Sequence, residues 1–280
     1  MHLLITGAGG MLGGDVARAA RAAGHQVTAL TRVGLDVCDP AAVERALDEE
    51  RPDAVVNCAA WTDVDGAEAD EAGALAVNGA GAGNLARAAA AAGAKLVQVS
   101  TDYVFDGTKR APYLEHDATG PLGAYGRTKL AGERAVATAG PRHVIARSSW
   151  LFGAGGRNFV ETMLALGAER EHVEVVTDQV GCPTWTGHLA GALLALAAGE
   201  AFGVHHVAGS GACSWYDFAV EIFRQAGVDC AVRPTSSESL RRPAPRPAWS
   251  VLGSSRADSP TLPEWTEGLA GYLALRGAPA

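Results

Sequence analysis

Tyr125 and Lys129, four apart in Tyr125-Gly126-Arg127-Thr128-Lys129, are the pair best suited to moving a proton. Within a helix this spacing places both side chains on one face. A free phenol titrates near about 10, too weakly acidic for fast donation at neutral pH, and a neighbouring ammonium favours the phenolate and lowers that value. Lysine is scarce here: among 23 lysines and arginines only Lys95, Lys109 and Lys129 are lysines. Taken alone, the pair would also suit an exposed helix face. A second polar run, Ser100-Thr101-Asp102-Tyr103-Val104-Phe105, follows the apolar segment Lys95–Val99. If that segment is a strand, its carboxyl end delivers these groups to the edge where open parallel sheets bind ligands. A hydroxyl there can bond a carbonyl and steady an alkoxide, although Ser-Thr-Asp runs also cap helices and turns.

The third constellation lies at the start of the chain, Thr6-Gly7-Ala8-Gly9-Gly10-Met11-Leu12-Gly13. Glycines that follow a strand and open a helix form a dinucleotide fingerprint. Gly7 permits the tight turn, Gly10 lets the backbone approach a pyrophosphate, and Gly13 allows close helix–strand packing. With Met11 and Leu12 they open a helix whose N-terminus offers free N–H groups to phosphate. The next strand ends Leu30-Thr31-Arg32 without a carboxylate for ribose hydroxyls, so a hydroxyl and a guanidinium await a 2′-phosphate. NADPH is therefore favoured, with NADH the alternative; in the other reading Arg32 is a solvated surface charge. Asp36 and Val37 fall beside the adenine position. Cys58, Ala59, Ala60 and Thr62 follow the strand ending in Asn57, where small residues let a cofactor lie against backbone.

These groups must be placed by regular elements. Strands are expected at His2–Thr6, Gln26–Leu30, Ala54–Asn57, Lys95–Val99, His143–Arg147, His172–Val176 and Val204–Val207, and helices at Met11–Ala23, Pro40–Glu49, Glu71–Ala92, Leu122–Ala139 and Trp185–Ala198. Apolar strands alternating with helices predict an α/β fold: a Rossmann-type doubly wound parallel sheet covered on both faces. After about residue 207 the alternation weakens, and prolines crowd Arg241-Arg242-Pro243-Ala244-Pro245-Arg246-Pro247. The expected organisation is a dinucleotide-binding domain over 1–148, its sheet completed by parts of 168–208. Residues 149–167 and 209–280 would form a small C-terminal substrate-binding lobe.

Composition narrows the function classes. The 280 residues carry a net charge of -8, which argues against binding nucleic acid. With 48% hydrophobic and 19% charged residues the chain is too apolar for disorder, and no run approaches a membrane span. The start has no basic, then long apolar, stretch, so no secretory signal is expected. Five scattered cysteines without a Cys-x-x-Cys read as reduced thiols of a cytoplasmic protein, and no His-Glu-x-x-His suggests a metal.

The chain resembles the extended short-chain dehydrogenase/reductases and, within them, the dTDP-4-dehydrorhamnose reductase family. The resemblance rests on Gly7–Gly13, Asn57–Asp65, Ala76-Val77-Asn78, Ser100–Phe105, Tyr125–Glu133, Arg147–Gly153, Asp178–Thr184 and Arg246–Leu252, nearly the whole chain. It implies Thr101, Tyr125 and Lys129 as the catalytic triad, with Tyr125 and Lys129 also touching the cofactor. It further implies hydride transfer from NADPH to C4 of a dTDP-4-keto-6-deoxy sugar, protonation by Tyr125, and a sugar pocket lined by Ser100, Asp102, Tyr103 and Trp150. Some members join dimers through a metal held by glutamates where this chain has Gly14-Asp15 and Trp185–His188, so no metal and a monomer or weak homodimer are expected.

Two related chemistries fit less well. A sugar-nucleotide dehydratase uses an Asp-Glu pair after the threonine, whereas Thr101-Asp102 is followed by Tyr103. A 4-epimerase retains NAD, which the Thr31-Arg32 strand end disfavours. A non-catalytic, reductase-like regulatory subunit is the reading from another class. Such a chain can lose triad members, and this one keeps all three. Which deoxyhexose and which C4 configuration apply is not written in the sequence.

Overall fold

The structure, a computed structural model, describes residues 1–277. The amino-terminal part alternates β1 (His2–Thr6), α1 (Met11–Ala22), β2 (Gln26–Leu30), α2 (Pro40–Glu50), β3 (Ala54–Asn57), α3 (Val64–Ala69) and α4 (Glu71–Leu75). It continues through α5 (Ala82–Ala91), β4 (Lys95–Thr101), α6 (Ala124–Ala139) and β5 (His143–Ser148). Then follow β6 (Leu151–Phe152), α7 (Phe159–Glu169), β7 (His172–Val176), β8 (Val180–Gly181), β9 (Thr184–Trp185), α8 (Thr186–Ala198) and β10 (Gly203–His206). The chain ends with β11 (Cys213–Ser214), α9 (Trp215–Ala226), β12 (Ala231–Thr235), α10 (Ser237–Leu240) and α11 (Trp265–Gly277).

Six strands form one parallel sheet in the order β10-β5-β4-β3-β1-β2. Leu3, Leu4 and Ile5 of β1 are all fully buried, because helices cover both faces and alternate residues have no solvent side to reach. One apolar layer joins the sheet to α1 and α8 through Val16, Ala20, Leu189 and Leu193, and the other joins it to α2, α5 and α6 through Leu47, Leu85 and Val136. The chain leaves β1 toward β2 on one side and returns to β3 on the other. This strand-order reversal opens a crevice at the carboxyl ends of β1 and β3, where such folds bind ligands.

The lobe is built from short pairs. His172–Val176 does not join the large sheet: β7 pairs in parallel with β12, and only β10 completes the sheet beyond β5. His172 and Glu174 are exposed while Val173, Val175 and Val176 are buried, the signature of a strand with one wet face. A separate core of Phe152, Val160, Phe218, Ile222 and Leu269 holds α7, α9 and α11 together. Ser214 opens α9 with a capping box to Asp217.

The expected helix over 71–92 is interrupted. A π-helical turn, Ala76–Gly81, lies between α4 and α5. There the buried Asn78 accepts from the Trp61 N–H (2.9 Å) and donates to the Trp61 carbonyl (3.1 Å) and to Thr128 Oγ1 (3.1 Å). The turn so links the loop after β3 to α6, a contact between distant segments that local periodicity does not carry. Among the described residues no helix is long and apolar enough to cross a membrane, and all five cysteines are free.

Candidate active site

The loop between β1 and α1 is shaped by backbone contact. Gly7 has φ +67°, and a Cβ there would lie 2.6 Å from the Ala59 nitrogen. A Cβ on Gly13 would lie 2.3 Å from the Gly7 carbonyl oxygen, so only glycine lets α1 start so close to β1. The first turn of α1 has no side-chain cap and no acidic residue, leaving its N–H groups and positive dipole end open to an anion.

Beside this turn lies a cavity of about 450 Å³ lined by Gly7, Gly10, Arg32, Asp36, Val37, Ala59 and Ala60 from the expected set. Gly9, Thr31, Val33, Leu35, Trp61 and Val77 complete its wall. The exposed Arg32 forms no hydrogen bond or ion pair with the described residues, so its guanidinium is available to a ligand. The Cys38 N–H on Asp36 Oδ1 (2.9 Å), helped by the Arg32 charge, holds the Asp36 carboxyl below its ordinary value. A glycine cradle, an uncapped helix start and a free arginine together fit a phosphorylated dinucleotide. Seven expected cofactor residues stand outside this wall; Tyr125 and Lys129 are on α6, and Gly13 packs against Gly7 at the start of α1. Leu12 is in the core between α1 and the sheet, Met11 lies against Asn158 and Gly156, Cys58 is packed near Lys129, and Thr62 is exposed.

The groups expected to move the proton sit on β4 and α6. The Glu68 carboxylate accepts from the Ala124 N–H (2.7 Å) and caps the helix start just before Tyr125. A Cβ on Gly126 would lie 2.2 Å from the Tyr103 carbonyl oxygen, which explains the glycine after Tyr125. Lys129 Nζ donates to the Val99 carbonyl (2.7 Å), anchoring the ammonium beneath the end of β4. Burial pushes the Lys129 ammonium down to about 8, although the Glu133 and Cys58 charges act to raise it. Burial pushes the Tyr125 phenol up to about 12; the Thr101 hydroxyl beside it works downward and the Asp102 charge upward. The expected lowering of Tyr125 by Lys129 is therefore absent: desolvation governs the phenol and the ammonium is turned to Val99.

Thr101 Oγ1 donates to Asp102 Oδ1 (3.0 Å) and accepts from the Tyr103 N–H (3.2 Å). Tyr103 stands edge-on to Tyr125, ring centroids 5.8 Å apart. It also lines a second cavity of about 420 Å³, walled by Phe159, Met163, Trp215, Gln179, Glu174, Arg242 and Arg246 among others.

Three of the four expected substrate residues occupy other places. Ser100 points away from the crevice and donates to Glu133 Oε1 (2.5 Å), because neighbours along a strand face opposite sides. Glu133 in turn receives a bidentate pair from Arg147, Nε to Oε1 at 2.9 Å and Nη2 to Oε2 at 2.7 Å. Asp102 is 2% exposed and lies behind Thr101 rather than on a wall. Trp150 stacks on Trp215 at 3.6 Å, so Trp215 presents the aromatic surface to the second cavity and Trp150 supports it from behind. Asn78, Glu133 and Arg147 escape sequence reasoning as individual residues, since each works through partners far along the chain.

A doubly wound sheet, a glycine cradle at its switch point and a Thr–Tyr–Lys grouping beside it define an extended short-chain dehydrogenase/reductase. A family model described as the RmlD substrate binding domain matches residues 1–276. The dTDP-4-dehydrorhamnose reductase of Streptomyces griseus is 51% identical over 260 residues, 90% of this chain and 86% of that protein. The crystal structure of a dTDP-4-dehydrorhamnose reductase from Clostridium acetobutylicum superposes with a TM-score of 0.97 at 42% identity, covering 99% of this chain and 100% of that one. A Bacillus anthracis reductase of the same name, in complex with NADP, gives a TM-score of 0.95 at 36% identity over 98% of this chain and 99% of that one. The chain belongs to the dTDP-4-dehydrorhamnose reductase family.

Proposed function

We propose that the protein reduces the C4 keto group of a dTDP-4-keto-6-deoxyhexose with NADPH, a step of deoxysugar biosynthesis. The observation that carries this reading is that Tyr125 neighbours elements of both cavity walls. Trp61, on the wall of the first, packs on the same small alanine cluster as Tyr125, and Tyr103, on the wall of the second, meets the Tyr125 ring edge-on. The NADP complex of the Bacillus anthracis relative supports the cofactor, and Arg32 at the end of β2 suits its 2′-phosphate.

When bound, NADPH supplies the hydride for the carbonyl carbon. Thr101 offers its hydroxyl to the ketone oxygen and Tyr125 delivers the proton. A phenol at about 12 is fully protonated at neutral pH, the state a donor needs, and the alkoxide it protonates is the stronger base. Lys129, still mostly charged at neutral pH, has further donors for ribose hydroxyls beside the one it gives Val99. Arg242 and Arg246 bring positive charge to the second cavity, where a nucleoside diphosphate needs it, despite the chain's net charge of -8. Reduced cysteines and the missing glutamates suit a cytoplasmic monomer or weak homodimer.

Incubating the protein with NADPH and a dTDP-4-keto-6-deoxyhexose tests the proposal. Reduced nicotinamide should be consumed in step with formation of the dTDP-deoxyhexose, whose C4 configuration NMR would read. Failure of every 4-keto nucleotide sugar to support NADPH oxidation overturns the enzyme reading in favour of a regulatory role.

A further inference from the structure

Asp102 has no task in the reaction as derived above, yet its carboxyl is held against the one hydroxyl that the reaction needs free. Thr101 has a single proton and two lone pairs. One lone pair takes the Tyr103 N–H at 3.2 Å, and the proton goes to Asp102 Oδ1 at 3.0 Å. While Asp102 is ionised it can only accept, so the Thr101 proton stays with it and is unavailable to a ketone oxygen. If Asp102 carries a proton, it donates to the remaining lone pair of Thr101, and the Thr101 proton turns outward.

We propose that Asp102 is a positioning residue for the ketone reduction, its own proton deciding whether the Thr101 hydroxyl points at the substrate oxygen or back at the carboxylate. This deepens the reductase reading and rests on it. The surroundings favour the protonated form. Asp102 is 2% exposed, and its Oδ2 makes no hydrogen bond in the structure. An unsatisfied buried carboxylate is costly, and a neutral acid much less so.

The groups that face Asp102 are Tyr103 on its own turn, Tyr125 from α6, Cys182 from the segment after β8, and the Ser250 hydroxyl from the carboxyl-terminal segment. None is a cation. Burial pushes the Asp102 carboxyl up to about 7, with the Ser250 and Thr101 hydroxyls and nearby backbone acting downward. Burial also raises Tyr125 and Cys182, both to about 12, so of these neighbours Asp102 alone changes charge near neutrality. No covalent step is added. Tyr125 remains the donor, and the Asp102 proton is neither spent nor gained in a turnover.

Asp102→Asn tests this, because the amide donates to Thr101 at every pH. Wild-type kcat should begin to fall near 7, where Asp102 ionises, a unit before the Lys129 ammonium at about 8 begins to lose its charge. The variant should keep the low-pH rate through 7 and fall only later, where the Lys129 ammonium at about 8 loses its charge, with the KM for NADPH unchanged. An active wild type whose variant keeps the same alkaline fall, or loses turnover at all pH values, overturns the role of Asp102 alone. Absence of turnover by the wild type with every 4-keto nucleotide sugar is instead the failure of the reductase reading. Infrared difference spectra of the wild type with NADPH decide the point without turnover and without a folded variant. A protonated-carboxyl band should be present about two units below neutrality and gone about two units above it. A spectrum with no such band at the lower pH also overturns the proposal.

Discussion

Asp65 on α3 and Arg246 in the proline-rich loop form an ion pair, Nη2 to Oδ2 2.9 Å, that ties the sheet half of the molecule to the lobe. Asp65 Oδ1 also accepts from the Ala244 N–H (3.1 Å), so one carboxylate holds both the loop backbone and the arginine. Arg246 lines the second cavity, which makes the pair a link between α3 and that cavity's wall.

Asp65→Asn should leave the fold intact, since partly exposed ion pairs are worth about 1 kcal/mol or less. The loop should hold its arginine less well. We expect the KM for the sugar nucleotide to rise roughly three- to tenfold, with the KM for NADPH unchanged. Steady-state kinetics with each substrate varied in turn checks this, and equal changes in both constants would contradict it.

Tyr125→Phe removes the proposed proton and keeps the ring packing against Tyr103. Turnover should drop by about a hundredfold or more while cofactor affinity stays within about twofold. Fluorescence titration with NADPH alongside the rate assay separates the two. A variant that turns over like the wild type removes Tyr125 from the mechanism.

Arg32→Ala should raise the KM for NADPH by roughly tenfold and leave that for NADH nearly unchanged, because only the former carries the phosphate that a guanidinium holds. Equal effects on both cofactors would sink the phosphate assignment.

The Glu133–Arg147 pair is almost wholly buried, with side-chain exposures of 5% on each side, and also satisfies Ser100. Glu133→Gln leaves the Arg147 charge without its counterion inside the protein. The expected cost is about 3–5 kcal/mol, read from urea unfolding of variant and wild type. A loss below about 1 kcal/mol would show that the pair is dispensable to the fold.

The raised Asp102 carboxyl also makes stability depend on pH. Between the ordinary carboxylate value and about 7, the folded protein holds a proton that the unfolded chain has released. Stability from this group is present below that window and is lost as pH rises through it. Asp102→Asn should therefore raise Tm relative to wild type more at pH about 8 than at pH about 5. The same difference at both values would show that Asp102 does not titrate in that range.

Much of the fold was legible in local pattern. The apolar runs of β1 and β3, the glycines at 7, 10 and 13, and the spacing of Tyr125 and Lys129 each express a constraint that acts within a few residues: two-faced burial, backbone clearance, and the helical repeat. Caps such as Ser214 on α9 and Asp39 before Pro40 on α2 belong to the same short range. The second strand of the crevice could be read in the same way, down to Arg32 at its end.

What tertiary structure alone decided depends on partners far along the chain. His172–Val176 has a strand's sequence, but its pairing with Ala231–Thr235 was set by the lobe closing around its own core. Ser100 and Thr101 are adjacent, yet only the pleat and the position of α6 determined that one meets Glu133 and the other faces Tyr125. Trp150 yielded the cavity wall to Trp215 because the two rings stack. The direction of the Tyr125 shift likewise came from desolvation, a property of everything packed around a group. By itself the sequence determined the class of fold, the glycine turn between β1 and α1 and the shared helix face of Tyr125 and Lys129, because those constraints are local. Tertiary packing decided which hydroxyl, which ring and which charge reach the crevice, because orientation and burial arise only when distant segments meet.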